Sequence, residues 1–385
     1  MQTWSMFNCF YLTKRILLFF TISGHCIISF GNDHVSASVI TLDPGNEIYS
    51  VFGHTAIRIT DDSANTDKVY NFGTFNYDDP WFYLKFIRGN LDYFLSVSSF
   101  DSFIQNTQRE GRRTYEQALI FSPAEVRCFS KLLENTYRSP ERYYRYDFFH
   151  DNCATRVRDY ISRIRHISYD SAEFCCKTFR QLLQPYITDH YWLNLGIDLA
   201  LGKNADAPAA ANDYMFLPVY IQSILNNSDL VASQKILLQG SANQQDKYGK
   251  LWPWAIFIVI ALSQFTRVRS IVMYTLLSTA ALTGIILAVL GMITENEALT
   301  DNWNILWTLP ALFVLVTAKS RFQKVVKIIY LLVLMLNLAG WNYFPQELSC
   351  TFIPWMSGLA LVLLADILSK TIQQYRYSIT TFLKK

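Results

Sequence analysis

The sequence predicts two unlike parts in one chain: an α+β domain, then an all-α bundle of five membrane helices. Three observations predict this. Charged residues run through the chain up to about Lys250, and beyond Leu251 it becomes a series of long apolar runs. In the first half, stretches that alternate apolar and polar residues are interleaved with helix-start signals, as a mixed α+β domain requires. In the second half, the segments between apolar runs are alternately basic and acidic. A chain of 385 residues is long enough for about two domains. Its net charge of +3 is too small and too scattered to point to nucleic acid. The seven cysteines are irregularly placed, with no C-x-x-C pair, so neither a zinc ribbon, a thioredoxin-like motif nor a disulfide framework is read.

The elements follow in order. Lys14 and Arg15 precede an apolar run, and the small residues Ser36, Ala37 and Ser38 come after it, so residues 1–37 read as a signal peptide or an uncleaved signal anchor. His25 stands where a lipobox needs a small residue, so Cys26 is not read as lipidated. An exported domain is expected over 38–201. Ser38 opens a weakly alternating strand, and Asp43-Pro44-Gly45-Asn46 is a turn. His54-Thr55-Ala56-Ile57-Arg58-Ile59-Thr60 reads as a half-buried strand, and residues 68–75 as its hairpin partner. A helix is expected over 80–88, a strand over 93–97, a helix over 100–108 and a strand over 113–121. Ser122-Pro123-Ala124-Glu125 is a capping box with proline at the first helical position, opening a helix to about Tyr137. Residues 143–149 are extended and aromatic, and helical patterns return over 174–187 and 191–201. The Asn-, Ala-, Ser- and Gln-rich stretch 202–250 reads as a linker of loops and short helices.

Five apolar segments follow, at about 251–265, 271–293, 303–318, 328–344 and 352–368, within a membrane domain over 251–370 and ahead of a cytoplasmic tail over 371–385. Arg267 and Arg269, then Lys319, Arg321, Lys324 and Lys327, then Lys370 and Arg376 mark the cytoplasmic exits. Glu295, Glu297, Asp301 and Glu347 mark the outer ones. The first helix is therefore entered from outside, in agreement with the export signal. Trp252, Trp254, Trp303, Trp307 and Trp341 fit an interfacial belt. Asp366, the main ionisable residue of the bundle, reads as interfacial, so the bundle resembles an anchor or lipid platform rather than a pump.

Chemistry concentrates in Tyr146-Asp147-Phe148-Phe149-His150-Asp151-Asn152-Cys153. Asn152 is a good N-cap, which puts Cys153 in the first turn of a helix, where free N–H groups and the macrodipole favour a thiolate. The alternative is a small buried core cysteine. A nucleophile needs a base, and of His25, His34, His54, His150, His166 and His190, only His54 opens an alternating strand beside a glycine. Asn71, on the expected partner strand, is placed to orient His54, or else caps a bulge before Gly73. A thiol at a helix start facing a histidine on a strand is the papain-type arrangement. The order His, Asn, Cys matches its circularly permuted, NlpC/P60-like members.

The motifs Phe52-Gly53-His54-Thr55-Ala56, Tyr70-Asn71-Phe72-Gly73-Thr74 and Tyr146 through Arg156, with the five apolar segments, resemble the Lnb-type bacterial lipoprotein N-acyltransferases. That resemblance implies a cysteine enzyme of the inner membrane, with Cys153 as nucleophile and His54 as base. It implies transfer of a fatty acyl chain from a membrane phospholipid to the α-amine of a diacylated lipoprotein, with no cofactor. Asp151, Asn152 and Tyr146 are expected to support the site, and Arg58, Arg88, Arg109, Arg112 and Arg113 are candidates to hold a phosphate head group. Two other classes stay open at this stage: a membrane-anchored cysteine amidase or endopeptidase acting on cell-wall peptides, and a non-enzymatic membrane assembly factor. No ligand spacing supports zinc at His54 and Cys153.

Overall fold

Seven strands form one antiparallel sheet in the order β6-β4-β3-β2-β1-β5-β7. They are β1 (Val35–Leu42), β2 (His54–Asp61), β3 (Thr66–Thr74), β4 (Asp92–Ser99), β5 (Thr114–Leu119), β6 (Tyr143–Arg145) and β7 (Val231–Leu238). The structure, a computed structural model, describes residues 34–76, 80–81, 85, 88–240, 249–317, 323–340 and 343–382. Nearly all of the expected export segment, and most of the helix expected over 80–88, lie outside the described residues. Val35, Ser36 and Ala37 are a correction to the expected boundary at residue 37: they begin β1, paired with Asp61, Thr60 and Ile59.

The central strands are buried on both faces, because helices cover both. Helix α1 (Phe100–Glu110) packs Phe103 over Ile40, Leu42, Ala56 and Val69 on one side. On the other side, α2 (Pro123–Arg138), α3 (Cys153–Ser162), α4 (Phe179–Ile187) and α6 (Pro218–Asn226) pack over Ile57, Ile59, Tyr70 and Phe72. The Ser122–Glu125 capping box is present, with Pro123 in the first turn. The remaining helix of this half, α5 (Tyr191–Ala200), leaves the core and turns toward the membrane domain.

The stretch 202–250 is not a linker of loops and short helices. It supplies α6, the edge strand β7 paired with β5, and the buried side chains Tyr214, Met215, Phe216, Leu217, Ile221, Ile224, Leu225 and Leu230. An edge strand is wetted on one side, and β7 is mostly exposed, so its sequence lacks the apolar run that marks a central strand.

The membrane half comprises α7 (Trp252–Ser263), α8 (Arg269–Ile293), α9 (Ile305–Thr308), α10 (Leu312–Thr317), α11 (Gln323–Ala339) and α12 (Ile353–Phe382). The helical spans Arg269–Ile293 and Cys350–Gln373 are long and apolar enough to cross a bilayer, and Trp252–Ser263 is apolar but shorter. Its outer surface exposes Ile258, Val259, Leu262, Ile271, Leu282 and Ile286, a density of apolar side chains suited to lipid. The third apolar segment is not one continuous helix. It breaks between α9 and α10 at Leu309-Pro310, because proline has no N–H to donate and crowds the preceding turn. The buried Tyr330 hydroxyl donates to the Trp307 carbonyl at 2.5 Å, satisfying a backbone group beside the break.

Two further expectations are corrected here. Asp366 is not interfacial: it is buried between helices, 2.7 Å from Lys327 of α11 and 3.2 Å from Lys370. Trp307 is buried too, with its indole N–H on Asn304 at 3.1 Å, whereas Trp252, Trp254 and Trp303 are exposed as an interfacial belt requires. Trp341 lies outside the described residues.

The two halves meet at the end of α5. Leu195 and Leu199 pack against the membrane bundle, and Trp355 donates to the Tyr191 hydroxyl at 2.9 Å. The last carbonyls of α5 receive side-chain amides from the membrane domain. Asn304 donates to Asp198 at 3.1 Å, Asn302 to Leu199 at 2.6 Å and to Ala200 at 3.0 Å, and Gln346 to Leu201 at 3.0 Å. Arg180, buried and paired with Asp198 and Asp206, adds its guanidinium to the Gly202 carbonyl at 3.0 Å. A Cβ on Gly202 would stand 1.7 Å from the Thr300 carbonyl oxygen, so only glycine permits this approach.

Candidate active site

The site lies where β2 and β3 part. Their pairing runs from Asp61–Thr66 to Ile57–Tyr70 and ends there, and β3 changes register between Asn71 and Thr74, with Gly73 at φ +86°. His54, at the first position of β2, thereby comes to face the irregular end of β3. Its Nε2 is 2.5 Å from Asn71 Oδ1. An amide oxygen only accepts, so Nε2 carries the ring proton and Nδ1 keeps a free lone pair.

Cys153 enters this opening from the N-terminus of α3. A Cβ placed on Gly73 would lie 3.4 Å from Cys153 Cβ, 3.8 Å from His54 Cε1 and 4.0 Å from the Tyr144 hydroxyl. The atom that glycine lacks would thus stand among all three side chains. Gly73 serves here twice, once for its left-handed backbone and once for the space it leaves.

The turn before α3 is fully tied. Asn152 Oδ1 accepts from the N–H groups of Ala154 at 2.8 Å and Thr155 at 3.0 Å, while the Thr155 hydroxyl accepts from Asn152 N–H at 2.7 Å. The Asn152 amide donates to the carbonyls of Phe148 and Phe216 at 2.8 and 2.9 Å. Asp147 accepts from the N–H groups of Phe149 and His150, and Asp151 is clamped by the Arg156 guanidinium. Arg156 in turn lies 4.1 Å over the Tyr144 ring. Asp151 and Asn152 therefore act through the backbone, fixing where Cys153 sits. Tyr146 stacks on Tyr93 at 4.3 Å and forms part of the wall near the sulfur.

The electrostatics differ from expectation. Burial pushes the Cys153 thiol above its ordinary range, against the N–H groups of Thr55, Ala154 and Cys153 itself and the Arg112 guanidinium, which favour the thiolate. The helix start alone does not ionise the thiol, because its desolvation is the larger effect. His54 is pushed down to about 4, first by burial and then by Arg112, with the Asn71 hydrogen bond opposing both. Both shifts favour the uncharged forms, a thiol and an imidazole with Nδ1 unprotonated.

Arg58 is not placed to hold a head group. Asp67 binds it at 2.6 and 2.8 Å, Glu116 at 2.8 Å, and its guanidinium lies 3.4 Å over the Phe100 ring. Arg88, Arg109 and Arg113 are exposed. Arg112 is the exception: it is buried, donates to the Asp43 carbonyl at 2.8 Å and to Glu110 at 3.0 Å, and leaves one guanidinium nitrogen without a partner among the described residues. Asp43 follows Leu42, the cross-strand partner of His54, which brings this charge beside the imidazole.

Sequence reasoning gathers His54, Asn71 and Cys153, and the structure brings these three together. His34, His150 and His166 are exposed, and His190 sits at the start of α5. Tyr144 was missed, and Arg112 and Gly73 were named for other reasons than their places beside His54 and Cys153. The Tyr144 hydroxyl is buried beside the thiol, against the Gly73 backbone, and makes no side-chain hydrogen bond among the described residues. Its position alternates with Tyr146 along the extended aromatic stretch, a signal available in the sequence. A cavity of about 430 Å³ opens at the opposite end of β2, lined by Ile59, Lys68, Tyr70, Arg127 and Glu134, away from Cys153.

Comparison with curated proteins and with solved structures finds no match for the chain. Comparison with protein families does. Residues 25–185 match the Lnb N-terminal periplasmic domain, which contains His54, Asn71 and Cys153, and residues 249–378 match the Lnb transmembrane domain. With both domains of one family present in order over most of its length, this chain is a membrane protein belonging to the Lnb family.

Proposed function

We propose that this protein is a lipoprotein N-acyltransferase that works through a Cys153 thioester. The observation that carries the reading is the meeting of Cys153, His54 and Asn71 around Gly73, in a domain docked onto a lipid-facing bundle. The arrangement reads as a permuted papain-like fold, with α3 as the nucleophile helix and β2–β3 as the base hairpin. The membrane half reads as five crossings, the third broken at Pro310. The basic residues between alternate crossings put the C-terminus in the cytoplasm and the thiol domain on the outer side of the inner membrane.

The reaction runs in two steps. His54 Nδ1 takes the Cys153 proton as the sulfur attacks an ester carbonyl of a phospholipid, and the oxyanion is held by the backbone N–H of Cys153 at the start of α3. The intermediate collapses to a thioester, and the departing lysophospholipid alkoxide takes the proton from His54. The α-amine of the lipoprotein's lipidated cysteine then attacks the thioester. His54 accepts the amine proton and returns it to the leaving sulfur, restoring the thiol. Asn71 keeps the imidazole in the required tautomer throughout. The thiol need not be ionised at rest, since its proton moves as the S–C bond forms.

Intact mass spectrometry of lipoprotein N-terminal peptides, from cells with and without Cys153, tests the assignment. The expected result is one fewer acyl chain on the terminal amine without Cys153; an unchanged acyl count overturns it.

A further inference from the structure

Cys175 and Cys176 are adjacent in the chain and both exposed, in the loop that leads into α4. The Cys176 thiol donates to the Cys175 sulfur at 2.9 Å. Cys176 has φ +71°, in the left-handed region. The other non-glycine residues with positive φ among the described residues are Asn65 and Asp301, types that tolerate that region, whereas cysteine does not favour it. The surroundings hold the loop in place: the Tyr214 hydroxyl donates to the Cys175 carbonyl at 2.9 Å and accepts from Lys177 N–H at 3.2 Å. Tyr214 is buried, and the same 3-10 segment carries Phe216, whose carbonyl receives the Asn152 amide. Two sulfurs are thus presented to solvent side by side, on a backbone already turned to bring them together, in a domain whose family places it in the periplasm. Exported compartments favour disulfides, and a ring closed between neighbouring residues departs from ordinary disulfide geometry, which makes it easier to reduce.

We propose that Cys175 and Cys176 are a redox site that closes reversibly to a vicinal disulfide. Both S–H bonds break and one S–S bond forms; two protons and two electrons pass to a disulfide of the exported compartment, which becomes two thiols. The site is separate from Cys153 and does not depend on the acyl-transfer reading.

The test uses the full-length protein, with free thiols blocked by N-ethylmaleimide in intact cells before extraction. Trypsin releases residues 166–177, which contain no cysteine other than this pair. The expected peptide carries no maleimide, is about 2 Da lighter than the dithiol, and takes up two iodoacetamide groups after reduction with dithiothreitol. A Cys176→Ser chain is expected to leave Cys175 fully open to maleimide. Two maleimides on the wild-type peptide before reduction, or a bond from either sulfur to Cys128, Cys153, Cys350 or a small thiol, would overturn the proposal.

Discussion

The start of α3 and the end of α5 obey the same electrostatics and are finished in opposite ways. At the end of α5, the carbonyls of Asp198, Leu199, Ala200 and Leu201 all receive side-chain donors, from Asn302, Asn304, Gln346 and Arg180. At the start of α3, Asn152 takes the N–H groups of Ala154 and Thr155, and the N–H of Cys153 is left to its own sulfur. A helix terminus carries unpaired polar groups and a partial charge. Where the purpose is to join two domains, the chain satisfies them all; where the purpose is chemistry, it leaves some of them facing a reacting atom. The difference shows which terminus should govern rate and which should govern stability.

The largest effect comes from the open end. On the proposed acyl-transfer reading, Cys153→Ala is expected to lower N-acylation more than about a thousandfold, since the proposed nucleophile is lost. The melting temperature should barely move, because the α3 cap is Asn152. Unfolding of this variant under conditions where the wild type is folded would break the distinction.

Next is the pH response. His54 has a folded-state pKa of about 4, below its ordinary 6.5. The unfolded chain therefore binds the extra proton first as pH falls. The part of the stability set by His54 is full above 6.5, declines between 6.5 and 4 by about 3 kcal/mol and is flat below, where carboxylates held low by their partners, such as Glu125 at about 2, add losses of their own. Chemical denaturation across that range checks it, and His54→Gln should flatten the slope. The acid limb of the rate should lie nearer 4 than 6.5, because the base stays neutral in between.

The closed end predicts the reverse of Cys153. Asn302→Ala leaves the Ala200 carbonyl without its side-chain donor and Leu199 with Asn304 alone at 3.3 Å, and is expected to cost about 1–3 kcal/mol of stability, with the turnover of the folded fraction unchanged. A fall in rate without a fall in stability would show that the seam does more than join. The smallest effect is expected of Tyr144→Phe: about tenfold in rate with stability little changed, since the hydroxyl it removes touches only the Gly73 backbone among the described residues. Equal rates would assign Tyr144 to packing alone.

The contrast also explains what could be read from the chain. The α3 terminus is local: cap, nucleophile and turn lie within a few residues, and His54 and Asn71 are brought together by a short hairpin. The helix starts at Ser99, Ser122 and Asn152 follow from capping chemistry alone. The α5 terminus is not local, because its donors lie about a hundred residues further along, and no periodicity announces them. Lys327 and Asp366 escaped for the same reason, each looking interfacial until paired with the other. β7 escaped because a polar edge strand resembles a loop, and the raised thiol because burial is a property of the whole fold. Pro310 was visible, and its break in the third apolar segment follows from proline chemistry.

The order of β7 along the chain sets the order of assembly. Every strand of the sheet is translated before Trp252, so the thiol domain can finish folding while the spans are still being made. Of the amides that close α5, Asn302 and Asn304 follow the first two apolar segments and Gln346 follows the fourth, so the set is complete only after most of the bundle has been synthesised. A nascent protein therefore holds a completed sheet above a bare helix end, and maturation ends when the last spans arrive beneath it.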